Sequence, residues 1–478
     1  MLSVVKRHIY LLLVVAITIN IHSCGENETI VIIFHTNDSH SEINNFPQMV
    51  ALVNEERETS DHVFLVSAGD IFSGNPLIDF YEPPGYPKID LMNRAGYNVN
   101  TIGNHEFDYG IDILMDRMEQ TDFPFILANL DSGNSLLPQP DPYYIARAGR
   151  IRLAFLGLVQ LNESGIPSTH PDRVANIEFF PPVETAARYS YLTGKADAVI
   201  GLTHVGFRTD TLMARRYPWF DVLIGGHGHV LITDPVEYNG VLVTQAGSRL
   251  RHVGKITLLF RGRELVSKKA EMISIAEITG HDRELAALVE EYNNNPVMSR
   301  VIGRLENPLI GKPAIGAFIT DTYRKYSDLD FAFHNFGGIR VSRMEGEIRI
   351  KDIYEMDPFG NQLVSMYLTY SELQDLIGNS LNPDYTPELQ ISGGRFEIHV
   401  SNSGSRIRIF DKQNNELDHD AEYLVGMPDY IATVFDFERK DQGTELGITT
   451  AEIVIGYISE KLEIDYSASE RSRIIPVN

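Results

Sequence analysis

Asp38-Ser39-His40 places a carboxylate and an imidazole two residues apart, a spacing that in extended backbone points both the same way, toward one cation. Asp70 follows Ser67-Ala68-Gly69, where the glycine permits close backbone approach and the carboxylate has two oxygens able to bridge two cations. Asn104-His105-Glu106 follows Gly103, His204 follows Thr203, and Gly225-Gly226-His227-Gly228-His229 again sets two imidazoles at i and i+2, in glycine-rich chain. These donors are oxygen and imidazole only, a set that suits Zn, Mn or Fe and not copper(I) or an iron–sulfur cluster. Two ions sharing one carboxylate, roughly 3.5–4 Å apart, generate hydroxide and hold phosphoryl oxygens for in-line attack, so hydrolysis is the natural reaction. Singly, each of these side chains is more often a hydrogen-bonded loop residue than a ligand. Their shared position in the chain is what weights them.

That position is the end of a short apolar run. Thr29 to Phe34 precedes Asp38 and His40, Val63 to Ser67 precedes Asp70, Val99 to Ile102 precedes Asn104, Ala198 to Leu202 precedes His204, and Val222 to Ile224 precedes His227. The runs are β-branched and alternate with amphipathic segments, which predicts layered α/β structure. In α/β sheets, sites collect beyond the carboxyl ends of strands, so the recurrence is itself a functional signal. Between His281 and Pro296, Leu285, Leu288, Val289 and Tyr292 follow helical spacing, and Asn293-Asn294-Asn295-Pro296 stops the helix. A domain boundary is expected here. A second α/β segment follows, with strand-like stretches at Asp330 to His334, Leu363 to Leu368, Arg395 to Val400, Arg406 to Phe410 and Glu422 to Met427.

Composition bounds the partners. With 478 residues the chain is too long for one typical domain, and a formal net charge of −24 disfavours a polymeric nucleic-acid partner. A single cysteine, Cys24, excludes intrachain disulfides and cysteine-based metal or redox motifs. Lys6, Arg7 and His8 precede an uncharged, mostly apolar run from Ile9 to Ile19, which reads as a secretory signal too short for a membrane span. Ile21-His22-Ser23-Cys24 then resembles a bacterial lipoprotein cleavage site, which implies lipidation of Cys24, a membrane anchor, and a periplasmic or cell-surface location.

The ordered set D-x-H, G-D, G-N-H-E-F-D, T-H and G-G-H-x-H resembles the calcineurin-like metallophosphoesterases, and specifically their bacterial and animal 5′-nucleotidase branch; Asn104 through Gly110 carries the closest match. The resemblance implies a four-layer αββα metallophosphoesterase domain followed by a smaller α/β substrate-binding domain. It places Asp38, His40 and His229 on one divalent ion and Asn104, His204 and His227 on the other, with Asp70 bridging. His229 stands where that branch often has Gln or Asn. His105 and Asp108 form the family's dyad, and the i+3 spacing brings them together if the turn after Asn104 is helical. The carboxylate then favours imidazolium, able to stabilise the transition state or protonate a leaving oxygen.

In the second segment, Asn335-Phe336-Gly337-Gly338-Ile339-Arg340 resembles the family's N-x-G-G-x-R motif, with Asn335 and Arg340 facing the nucleotide and Gly337 and Gly338 allowing close approach. Phe359 and Tyr430 fall where two base-stacking aromatics belong, a contact worth ~1–3 kcal/mol in single-strand binders. The family commonly continues with N/S-G-G-D, whose Asp contacts ribose; here Thr433-Val434-Phe435-Asp436 keeps the acid and loses both glycines. Gly311-Lys312-Pro313-Ala314 lacks the additional Arg usual there, leaving Lys312 as a point charge.

The implied organisation is a signal over 1–24, a metallophosphoesterase domain over 29–280, a linker helix over 281–298 and a 5′-nucleotidase C-terminal domain over 299–478. The implied activity is removal of phosphate from extracellular nucleotides. Related readings are a 2′,3′-cyclic-nucleotide phosphodiesterase, a UDP-sugar hydrolase, a thiosulfohydrolase-like enzyme, and a lipid-anchored binding protein with a dead core. The last predicts eroded ligands, yet every ligand position is filled.

Overall fold

The apolar runs that end in ligand-type residues are strands in the computed structural model, which describes residues 28–162, 164–401, 404–467 and 471–476. The proposed export segment and Cys24 lie outside the described residues. Glu28–Thr36, Val63–Ser67, Val99–Thr101 and Phe125–Ile126 form a parallel array, extended at one edge by the antiparallel pair His252–Arg261 and Glu264–Ser274. In a second six-stranded sheet, Ile151–Val159, Ala198–His204, Val222–Gly225 and Val241–Thr244 are parallel, with Tyr143–Ala148 and Val236–Tyr238 antiparallel at the two edges.

The sheets pack face to face. Val31, Ile33 and Val66 of the first meet Phe155, Ile200 and Ile224 of the second in one buried cluster. Residues of the opposite parity point outward, as strand alternation requires. Phe34 and Leu65 pack under the helices Phe46–Thr59 and Tyr86–Ala95, while Leu156 and Leu223 pack under Phe207–Arg216. Two helical layers thus enclose two sheets, the αββα arrangement expected, and the buried parallel strands read as near-continuous apolar runs for that reason.

The helix Arg283–Asn293 is capped by Asp282, whose carboxylate accepts the Leu285 N–H at 3.0 Å. Its apolar face, Leu285, Val289 and Tyr292, lies in the same cluster as Phe46, Met49 and Ile89. The helix is therefore docked on the outer layer of the first sheet rather than suspended between two bodies.

Beyond it, a mixed sheet runs Leu389–Ser392, Phe331–Asn335, Glu422–Pro428, Gln362–Thr369 and Thr444–Thr449. The helices Lys312–Tyr326 and Thr450–Lys461 cover one face through Phe318, Ile319, Val454 and Ile458. The helix Tyr370–Asn379 and the hairpin Gly394–Ser401 with Gly404–Asp411 cover the other through Leu373, Leu376, Phe396 and Ile398. Leu77, from the short helix Pro76–Asp79 just after the Asp70 loop, is buried in the cluster of this second unit, so the two halves touch beside the site. Among the described residues no helix is long and apolar enough to cross a membrane.

Candidate metal centre and substrate cavity

All seven predicted ligand residues converge where the two sheets end. Asp38, His40 and His229 bring donor atoms within 4.8 Å of one another, as do Asp70, His204 and His227; a third grouping joins His40 and Asp70 to His105. Asn104 Oδ1 lies 3.0 Å from His227 Nδ1, and Asn104 Nδ2 donates to the Ser168 carbonyl at 3.1 Å, which turns the amide oxygen toward the cluster.

The expectation that Asp38 and His40 share a side through extended backbone does not hold. Both follow the strand and have φ +47, while Asp70, His227 and His229 have φ +53, +72 and +54. Each such non-glycine residue costs about 1–3 kcal/mol, so the surroundings must over-determine it. They do so by zipping the loops together: Asp38 N donates to Gly69 O, His40 N to Asp70 O and Ser41 N to Ile71 O at 2.8–3.0 Å. Glu106, fully buried, completes the clamp by accepting the N–H groups of Asp70 and Ile71 at 3.1 and 2.6 Å, together with that of Gly103. Sequence reading gave Glu106 no role, because its partners are backbone atoms from a distant loop.

The donor set fits cations. His40 Nδ1 lies 3.0 Å from the Ser73 carbonyl and His204 Nδ1 2.8 Å from the Ala68 carbonyl; donating there fixes the tautomers and leaves both Nε2 atoms as lone pairs. His204 Nε2 is buried without a hydrogen-bond partner, yet lies 3.0 Å from Asp70 Oδ2, a close approach of two donor atoms that a shared cation resolves. With no cation there, burial disfavours a charged His204, but Asp70 and Asp38 outweigh it and hold a proton on the ring up to about 10, paired with Asp70, in the place a cation would take. The carboxylates thus draw a positive charge into that position. Asp38 is pushed up to about 6, by burial first.

His105 opens the short turn His105–Phe107, and its Nδ1 meets Asp108 Oδ2 at 2.6 Å. The helical turn that the i+3 spacing required is present. Thr169 Oγ1 donates to the other Asp108 oxygen at 3.1 Å. Burial would depress the imidazolium, but Asp108 and Asp70 raise it above its ordinary value. The ring's Nε2 faces the cluster, 3.9 Å from Asp70 Oδ2.

Residues from both halves line one cavity of about 370 Å³, within the range of small-ligand sites. Asp70, Asn104, His105, His227 and His229 meet Asn335, Gly337, Gly338, Arg340, Phe359 and Tyr430 there. Arg340 Nη2 reaches His40 Nε2 at 3.4 Å, and the Phe359 ring stacks near His105, centroids 5.7 Å apart. Asn335 is buried, with its Oδ1 unpartnered, beside a Gly338 whose added Cβ would fall 2.9 Å from His334 Nε2.

Two second-half expectations change. Asp436 does not line the cavity; it is exposed. With the glycines gone, the helix Asp429–Val434 occupies the stretch, and Phe435 and Phe437 pack into the core on either side, so alternation turns Asp436 out. Lys312 Nζ donates to the Phe336 carbonyl at 2.8 Å, bracing the glycine turn instead of facing the cavity. Sequence reading also missed Ser168, Thr169, His170, Asp172 and Arg173, and Asp429 at the start of its short helix, which line the cavity without a recognisable sequence pattern.

Gly103 tests the clamp. An added Cβ would sit 2.3 Å from Asp70 Oδ1 and 2.7 Å from its backbone N. Gly103→Ala is expected to cost ~1–3 kcal/mol of stability or more and to weaken divalent-ion binding, read by thermal melting and metal titration.

Comparisons with known proteins agree with this arrangement. The family model described as calcineurin-like phosphoesterase matches residues 32–231, and that described as 5′-nucleotidase, C-terminal domain, matches 301–437. A trifunctional nucleotide phosphoesterase protein, YfkN, of Bacillus subtilis is 25% identical over 76% of this chain and 28% of its own length. The chain also spans only 34% of the length of another relative from that organism. A 5′-nucleotidase of Vibrio vulnificus is 24% identical over 91% of both chains. The crystal structure of a 5′-nucleotidase precursor from Thermus thermophilus superposes with a TM-score of 0.82, at 26% identity, covering 93% of this chain and 99% of that one.

Proposed function

We infer that this chain is an enzyme of the 5′-nucleotidase type, a reading supported by a calcineurin-like phosphoesterase match over 32–231 followed by a 5′-nucleotidase C-terminal domain match over 301–437. It is a metal-dependent hydrolase of phosphoric esters, and its substrates in this reading are nucleoside monophosphates. The supporting observation is the single cavity in which the His and Asp cluster meets Arg340, Phe359 and Tyr430.

Asp38, His40 and His229 would hold one divalent ion and Asn104, His204 and His227 a second, with Asp70 available to both; Zn, Mn or Fe would suit the donors. Such ions supply Lewis acidity, activating water and neutralising phosphoryl oxygens. Arg340 pairs with the phosphate, a bidentate geometry that lysine cannot reproduce. His105 donates its Nε2 proton to the leaving oxygen while Asp108 holds the ring. Phe359 and Tyr430 stack on the base, which favours a base-bearing substrate over thiosulfate. The domain division 29–280, 281–298 and 299–478 follows this assignment of roles, and opening between the halves admits the substrate. The N-terminal signal, lipidated Cys24 and nucleotide salvage outside the cytoplasm complete the reading.

Arg340→Lys is expected to raise KM for AMP roughly tenfold, since one charge-assisted hydrogen bond is worth ~1.5–3 kcal/mol, with a smaller change in kcat, as steady-state kinetics would show. The function itself is tested by phosphate release from AMP, UMP, cyclic AMP and UDP-glucose by the chain supplied with Mn²⁺ or Zn²⁺. Chelator-sensitive release from the monophosphates is expected. Conversion of cyclic AMP to AMP, or of UDP-glucose to UMP and glucose 1-phosphate, seen by chromatography without phosphate release from the monophosphates, contradicts the monoesterase reading.

A further inference from the structure

Away from the ligand cluster, the second half contributes one carboxylate to the cavity wall, Asp429, directly before Tyr430. The other carboxylates lining the cavity are otherwise accounted for: Asp70 belongs to the cluster, Asp108 is engaged by His105 and Thr169, and the Asp172 side chain is 90% exposed. Asp429 is held in place. It follows Pro428, the last residue of a strand and the antiparallel partner of Leu363, and its carboxylate accepts the Tyr430 N–H at 2.7 Å and the Gln362 N–H, which leaves lone pairs on both oxygens for a ligand. The carboxylate is thereby fixed relative to the aromatic ring beside it.

A ligand that stacks on Tyr430 and reaches the cluster with its phosphate carries its sugar between them, inside the cavity that Asp429 lines beside Tyr430. A half-buried carboxylate there accepts hydrogen bonds from vicinal hydroxyls, and a sugar lacking one of them leaves an acceptor desolvated and unpaired. Asp436, exposed and outside the cavity, makes no such contact.

We propose that Asp429 selects ribonucleotides over 2′-deoxyribonucleotides by accepting hydrogen bonds from the sugar hydroxyls, a proposal that rests on the nucleotidase reading above. Asp429 is then a specificity residue supplied by the wall itself, in a chain whose Asp436 faces solvent.

The test compares kcat/KM for AMP and 2′-deoxy-AMP in the full chain, in Asp429→Asn and in Asp436→Asn. The unaltered chain is expected to favour AMP by roughly 10- to 100-fold, the range for a hydrogen bond to a charged group. Asp429→Asn should narrow that ratio about tenfold through a higher KM for AMP, and Asp436→Asn should keep it. A second measurement needs no variant: adenosine should inhibit the unaltered chain more tightly than either 2′-deoxyadenosine or 3′-deoxyadenosine. Equal hydrolysis of the two nucleotides, an unchanged ratio in Asp429→Asn, or a ratio lost in Asp436→Asn overturns the proposal. No hydrolysis of either nucleotide by the metal-loaded chain overturns the nucleotidase reading as well, a result distinct from hydrolysis without discrimination.

Discussion

Replacing Asp70 by Ala is expected to abolish divalent-ion binding and to lower kcat/KM for AMP by at least ~10³-fold, about 4 kcal/mol of transition-state stabilisation. Asp70 Oδ2 faces His204 Nε2 at 3.0 Å, and Oδ1 accepts the His105 N–H at 2.9 Å. One side chain thus serves the cation cluster and the loop that carries the dyad. Ala keeps a Cβ, so the positive φ of residue 70 stays strained, but the bonds from His40 N to Asp70 O and from Asp70 N to Glu106 do not need the Asp70 side chain, so the fold is expected to survive at some cost in stability while the site does not. Metal content by mass spectrometry and far-UV circular dichroism separate the two effects. Hydrolysis retained at the unaltered rate in Asp70→Ala would sink the assignment of Asp70 as the shared ligand.

The second large effect concerns the proton. Asp108→Asn is expected to reduce kcat for AMP by ~10²–10⁴-fold, the range for a general acid, with KM little changed, because Asp108 acts through His105. Asp108 and Asp70 keep the imidazolium above its ordinary pKa against the cost of burial. An amide at 108 removes the nearer of those charges. The loss should be smaller on 4-nitrophenyl phosphate, whose leaving group departs without a proton. Equal losses on both substrates would assign the dyad to transition-state charge stabilisation instead of proton donation.

What sequence revealed and hid follows from the physics of each element. The runs Thr29 to Phe34 and Val63 to Ser67 are conspicuous because both faces of their sheet are covered from Val31 and Phe64 onward, so nearly all of the residues there are apolar. Val301–Ile310 and Arg343–Arg349 escaped notice because Arg304, Glu306, Glu345 and Glu347 turn outward and break the apolar pattern into single residues. The clustered His and Asp side chains proposed as ligands were readable because cation chemistry restricts side-chain type and sheet topology restricts place. Their backbone conformation was not, since the positive φ values arise from hydrogen bonds between loops remote in sequence. Glu106 shows the same limit, as a carboxylate whose only partners named here are main-chain N–H groups.

Asp436 and Asp429 mark where resemblance stops and packing decides. The spacing from Tyr430 favoured Asp436, but two phenylalanines claim the core on either side of it and the glycines that would have let the loop turn inward are absent. Asp429 offered no signal in sequence beyond standing next to an aromatic residue. Its place in the cavity comes from the strand that ends at Pro428.

The most direct test of the metal centre is reconstitution of the chelator-treated full chain with Mn²⁺, following AMP hydrolysis against equivalents of bound metal. The proposed site predicts no hydrolysis without metal and full activity only as the second equivalent binds. Full activity in the presence of chelator, or saturation at one equivalent, would contradict a shared-carboxylate pair of ions at Asp70.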